Sequence, residues 1–174
     1  CSLVGSEMCI RDRKMSNYLD DENPFYFLES NIDYYNNKYS RKSNIKDHGG
    51  EPYVVDIEEV TKENNVFRRA IWTGKYLQVT LMCINPGEDI GLEIHEDTDQ
   101  FLRIESGNGI VKMGKNKDKL EYEKKVNDDY AIVIPAGTWH NVYNTGNKLL
   151  KLYSIYAPPH HPKGTVHITK NDQI

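Results

Sequence analysis

Short apolar runs, separated by Gly, Pro, Asn and Asp, set the rhythm of the chain from residue 52 onward. In the run Gln78-Val-Thr-Leu-Met-Cys-Ile84, residues Gln78, Thr80 and Met82 share one face of an extended segment. Val79, Leu81 and Cys83 share the other, because side chains two apart on a strand point the same way. The same reading predicts strands over 52–57, 67–73, 76–84, 100–105, 109–113, 120–126, 131–134, 140–144 and 149–156. Residues 57–64 read as one helical turn, and Gly74-Lys75 as a two-residue hairpin link. The charged run 120–126 suits a sheet edge, where Lys and Glu discourage further pairing. The apolar run 131–134 reads as buried. Many short strands with Gly and Pro turns predict an all-β sandwich or closed barrel.

Two segments place metal-capable side chains on this pattern. Glu93 and His95 are two apart and can face one interior. Gln100 follows on the next strand, after the polar turn Glu96-Asp97-Thr98. His140 opens another strand, after Pro135-Ala-Gly137. Two imidazoles, a carboxylate and an amide carbonyl can surround a divalent cation. Mixed nitrogen and oxygen donors do not select one metal, so Mn, Fe, Ni, Cu and Zn all stay open. Asp99 is the alternative to Gln100, although strand parity turns it to the opposite face.

These segments resemble the two motifs of the cupin superfamily. The first motif, G-x5-H-x-H-x(3,4)-E-x6-G, is matched in spacing by Gly87, Glu93, His95, Gln100 and Gly107. The second, G-x5-P-x-G-x2-H-x3-N, is matched by Pro135, Gly137, His140 and Asn144, with Asp129 in place of its first glycine. The departures fall on the ligands: Glu93 stands for a histidine and Gln100 for the glutamate. One carboxylate is kept, moved to another corner. The resemblance spans roughly residues 66–158. It implies a double-stranded β-helix, or jelly-roll barrel, around a metal held by Glu93, His95, Gln100 and His140. It also implies a homodimer. Some small bacterial relatives of this kind are labelled mannose-6-phosphate isomerase-like, which is analogy at the level of fold.

Composition narrows the classes. The net charge is −4, with Lys and Arg scattered, which argues against nucleic acid as a partner. No apolar run approaches a membrane span. The cysteines Cys1, Cys9 and Cys83 lack zinc or redox spacing, so a reduced, cytoplasmic protein is expected. Residues 1–14 read as a leader foreign to the domain, with Met15 as the natural start. Residues 15–50 read as a flexible polar arm rich in Asn and Tyr, with one apolar patch at 24–28. The barrel is placed at 51–158 and a Pro- and His-containing tail at 159–174.

Several further residues bear on chemistry. Tyr153 and Tyr156 lie on opposite faces of the last strand, and Tyr153 is taken with Glu93 as a candidate for proton transfer. Arg68 and Arg69 alternate, so one can point inward, but a surface role is expected for each. Trp72 and Trp139 are candidates to line the cavity. His160, His161 and His167 are expected at the surface of the departing tail, with a lid or second metal site as the alternative. Two function classes stand. One is a metal-dependent enzyme on a small organic molecule, with isomerase-like and dioxygenase-like chemistry both open. The other is a metal-free barrel that binds a small molecule or serves assembly.

Overall fold

The computed structural model describes residues 45–173. The expected leader, most of the arm and the patch at 24–28 lie outside these residues. Among these residues the helix α1 (Ile57–Glu63) comes first. Nine strands follow among the described residues: β1 (Arg68–Thr73), β2 (Gln78–Ile84), β3 (Asp99–Ser106), β4 (Asn108–Gly114), β5 (Tyr122–Asn127), β6 (Ala131–Ile134), β7 (Trp139–Asn144), β8 (Leu150–Ala157) and β9 (Val166–His167).

The strands form two sheets, ordered β6-β3-β8-β2-β1-β9 and β5-β4-β7. Every pairing is antiparallel. Between the sheets lies one apolar core, which includes Met82, Ile84, Leu102, Ile104, Val111, Ile134, Val142 and Leu152. This is the all-β barrel that the pattern predicted, in the jelly-roll form that the resemblance implied. Period-2 alternation builds it. On β3, Gln100, Leu102 and Ile104 are buried, while Phe101 and Arg103 are only partly so. Its register sets Gln100 opposite Tyr156 on β8 and opposite Ile134 on β6. The charged β5 is indeed an edge strand, with Val126 its one buried residue.

Two glycines fix turns at positive φ, a conformation that favours glycine. Gly107 alone separates β3 from β4, at φ +97°. A Cβ there would come within 2.7 Å of the Leu149 carbonyl oxygen. Gly137 has φ +69° in the turn before β7, and its N–H bonds to the His95 carbonyl at 2.8 Å. That bond joins the two motif segments next to the candidate ligands.

Local predictions needed four corrections. Residues 52–56 are not a strand. Pro52 has no N–H to give a ladder, and Asp56 instead caps α1, accepting from Glu59 N–H at 3.0 Å. Helix α1 runs for seven residues rather than one turn. Its last carbonyls are met by the buried Lys151 ammonium, 2.8 Å from the Asn64 carbonyl and also bonded to that of Lys62, a favourable place for a cation. The β1–β2 link spans residues 74–77, because Thr73 pairs with Gln78 and Gly74 N–H bonds to the Leu77 carbonyl. In β6 only Ile132 and Ile134 are buried, and Val133 is 66% exposed.

Candidate metal centre

Glu93 and His140 face each other across a single antiparallel bridge. Glu93 N–H bonds to the His140 carbonyl at 3.0 Å, and His140 N–H to the Glu93 carbonyl at 2.9 Å. This pair of hydrogen bonds sets the two side chains side by side. His95 follows two residues later, so parity brings it to the same interior. Glu93 Oε1 lies 3.5 Å from His95 Nε2 and 3.4 Å from His140 Nε2. One donor atom from each of the three residues lies within 4.8 Å of the other two.

The tautomer of His140 is decided by its other nitrogen. Nδ1 lies 2.9 Å from the Thr138 carbonyl, which can only accept, so Nδ1 carries the proton. In the neutral ring Nε2 then presents a lone pair to the lone pairs of Glu93. Such an outer hydrogen bond orients a metal-binding histidine. Glu93 Oε1, His95 Nε2 and His140 Nε2 are all buried without a hydrogen-bond partner. Buried polar atoms left unpaired are costly, and here they converge. A cation between them satisfies all three, so the residues present fit a divalent metal.

Charge agrees with this. Burial pushes the Glu93 carboxyl upward, and the neighbouring Arg68 guanidinium opposes it and favours the ionised form. Arg68 Nη2 stands 3.8 Å from Glu93 Oε2, and the arginine is 2% exposed.

The fourth expected ligand, Gln100, is buried on the inner face of β3. Its Nε2 donates to Ser154 Oγ at 2.9 Å, and its Oε1 is buried without a partner. The amide is thus oriented with its acceptor free. Asp99, the alternative, is exposed, and its Oδ1 accepts from Ala136 N–H at 2.9 Å.

The tyrosine at the site is Tyr156, not Tyr153. Tyr156 is fully buried, and its ring lies 5.6 Å from that of His95. Tyr153 has the opposite parity and packs on Phe101 at 6.2 Å on the outer face. Burial keeps the Tyr156 phenol protonated to higher pH than usual. A signal for this was present: Tyr153 shares its face with Lys151, whereas Tyr156 shares one with Leu150 and Leu152.

Arg68 also departs from expectation, being inside the barrel, while Arg69 reaches outward to the Ile45 carbonyl at 2.8 Å. No local signal separates two adjacent arginines. The tryptophans lie away from the centre. Trp72 Nε1 donates to the Glu51 carbonyl at 2.7 Å, and Lys117 sits over Trp139 at 5.4 Å.

The tail histidines are not a departing surface chain. The His160 ring lies 4.0 Å from that of His95, and the His161 ring 5.1 Å from that of Tyr156. Burial first, and then Arg68, push His161 down to about 3. His161 and His167 are 6.3 Å apart, ring to ring. The one compact group of metal-capable side chains among the described residues is Glu93, His95 and His140, so the three tail histidines do not make a second such site.

Comparison with known proteins agrees with the fold. Residues 80–156 match the family model described as a cupin domain. The chain is 67% identical over 130 residues to the uncharacterized protein YrkC of Bacillus subtilis, covering 75% of this chain and 70% of that one. It is 45% identical over 119 residues to the uncharacterized protein L612 of Acanthamoeba polyphaga mimivirus, covering 68% and 72%. The crystal structure of BH2720 from Bacillus halodurans superposes with a TM-score of 0.72 at 66% identity, covering 73% of this chain and 96% of that one. The chain belongs to the cupin superfamily. Among the described residues no helix is long and apolar enough to cross a membrane.

Proposed function

We propose that this cupin is a metal-dependent enzyme in which Glu93, His95 and His140 hold a divalent ion, with Gln100 beside them, and that it acts on a small organic molecule. The observation that carries this reading is the set of three convergent, buried metal-capable atoms without partners. Two imidazoles and one carboxylate suit iron and leave positions open for a substrate. Bound there, the ion supplies Lewis acidity to a substrate oxygen. The chain's own groups do the rest. Thr138 fixes the His140 ring through Nδ1. The buried Arg68 sets a positive charge beside Glu93. Tyr156, kept protonated by its burial, is the hydroxyl available to hydrogen-bond a developing oxyanion.

The test is cobalt substitution. Cobalt-loaded protein should show visible absorption that shifts when azide is added, because an open position exchanges its water. Cobalt that binds in one equivalent but gives a spectrum blind to azide would show a closed, structural centre and refute the enzyme reading.

A further inference from the structure

Residues 158–173 fold back over the barrel as a strap. The side chain of Gln78, fully buried in β2, holds it in the manner of a strand partner. Gln78 Oε1 accepts from His161 N–H at 2.9 Å and from His160 N–H at 3.3 Å. Gln78 Nε2 donates to the His161 carbonyl at 2.7 Å. Further along, β9 pairs with β1. Gln173, with its amide oxygen turned toward Arg68, accepts from Nη1 at 2.8 Å and from Nη2 at 3.3 Å. The strap is therefore tied at both ends to residues that face the interior.

This attachment puts one side chain where a substrate must meet it. His160 is exposed, yet its ring lies 4.0 Å from buried His95 and 5.9 Å from buried Tyr156. It stands between the donor cluster and solvent. It is not a member of that cluster, so its ring nitrogens are free for something other than the ion. The charge of the interior then narrows what that is. Among the described residues Glu93 is the one carboxylate of the donor cluster, and Arg68 adds a buried positive charge whose Nε has no partner. With a divalent ion in place the centre carries a net positive charge. A desolvated site of that sign favours an anionic ligand.

We infer that His160 is a specificity-determining residue that hydrogen-bonds a small carboxylate-bearing molecule held at the Glu93–His95–His140 centre, and that Gln78 positions it. This rests on the metal-centre reading above. Glycolate is the probe, titrated into cobalt-loaded full-length protein and followed by visible absorption. His160→Ala should weaken glycolate binding about fivefold, the effect of one neutral hydrogen bond. Gln78→Ala should weaken it likewise, and His160→Asn, which keeps an N–H, should recover part of the loss. Cobalt content should stay at the wild-type level in all three. Lys163→Ala, an exposed strap residue bonded to the Gly49 carbonyl, should bind glycolate as wild type does.

An unchanged glycolate affinity in cobalt-loaded His160→Ala overturns the inference while leaving the metal centre standing. Loss of cobalt from that variant also overturns it, by making His160 a ligand of the ion. Loaded wild-type protein that binds glycerol in place of glycolate, or neither, refutes the anionic class. Wild-type protein that takes up no cobalt refutes the metal centre and this inference with it.

Discussion

Asn144→Ala separates the residues that hold the barrel from those that hold the ion. Asn144 ends the second motif, yet its side chain faces backbone rather than the centre. Its Nδ2 donates to the Ile84 carbonyl at 2.9 Å and to the Lys148 carbonyl at 2.8 Å. Its Oδ1 accepts from Gly146 N–H at 3.0 Å. The side chain thereby ties the end of β7 to the end of β2 and to the turn before β8. Truncation leaves the carbonyl beside buried Ile84 without its donor, which costs roughly 1–3 kcal/mol. The two partners in the more open turn can rehydrate, at about 0.5–1 kcal/mol each. A loss of about 3 kcal/mol follows, and at 2–4 °C per kcal/mol for a chain of this size Tm should drop about 6–12 °C. Urea unfolding is the assay, with an unchanged m-value to show that one transition is being compared. Metal content should match wild type. A loss under about 1 kcal/mol, or metal lost from a variant that is still folded, would refute the assignment of Asn144 to the scaffold.

Three other outcomes follow from the geometry. Tyr153→Phe should leave the azide-induced spectral shift of the cobalt protein intact, whereas Tyr156→Phe should alter it; the reverse pattern would contradict the inward placement of Tyr156. His161 is pushed down to about 3 in the folded chain, against about 6.5 unfolded. The folded state thus binds fewer protons than the unfolded state between these values, so this residue's contribution is complete above pH about 6.5 and is lost as pH falls toward 3. His161→Phe should flatten that part of the stability–pH curve, and an unchanged slope would contradict the buried, neutral ring. Gln100→Leu should weaken metal retention against a chelator less than His140→Ala does, because a neutral amide is the weaker donor; equal or greater loss would make Gln100 a principal ligand.

Much of this was legible in the sequence because strand parity and turn chemistry are local. The alternation in 78–84 and the Gly and Pro turns pointed to a sandwich or barrel, and the resemblance to the two cupin motifs brought Glu93, His95 and His140 toward one interior. What stayed hidden depends on partners far along the chain. Which face of β8 points inward is set by its register with β3, where Tyr156 meets Gln100. Arg68 is drawn inside by Glu93, 25 positions on, and by Gln173 at the far end of the strap. The strap itself is held by a side chain, Gln78, paired with backbone 83 positions away. No periodicity records a bond of that kind. Residues 52–56 failed as a strand for a different reason: their apolar alternation was real, but Pro52 and the capping Asp56 outweighed it.

The central claim is that Glu93, His95 and His140 hold a metal. Elemental mass spectrometry on untagged protein, beside Glu93→Ala, His95→Ala and His140→Ala, tests it most directly. The account predicts about one equivalent of a single transition metal per wild-type chain, and its loss from each folded variant. Wild-type protein that stays free of metal after incubation with Mn, Fe, Co, Ni, Cu and Zn, or variants that retain the wild-type content, would contradict it.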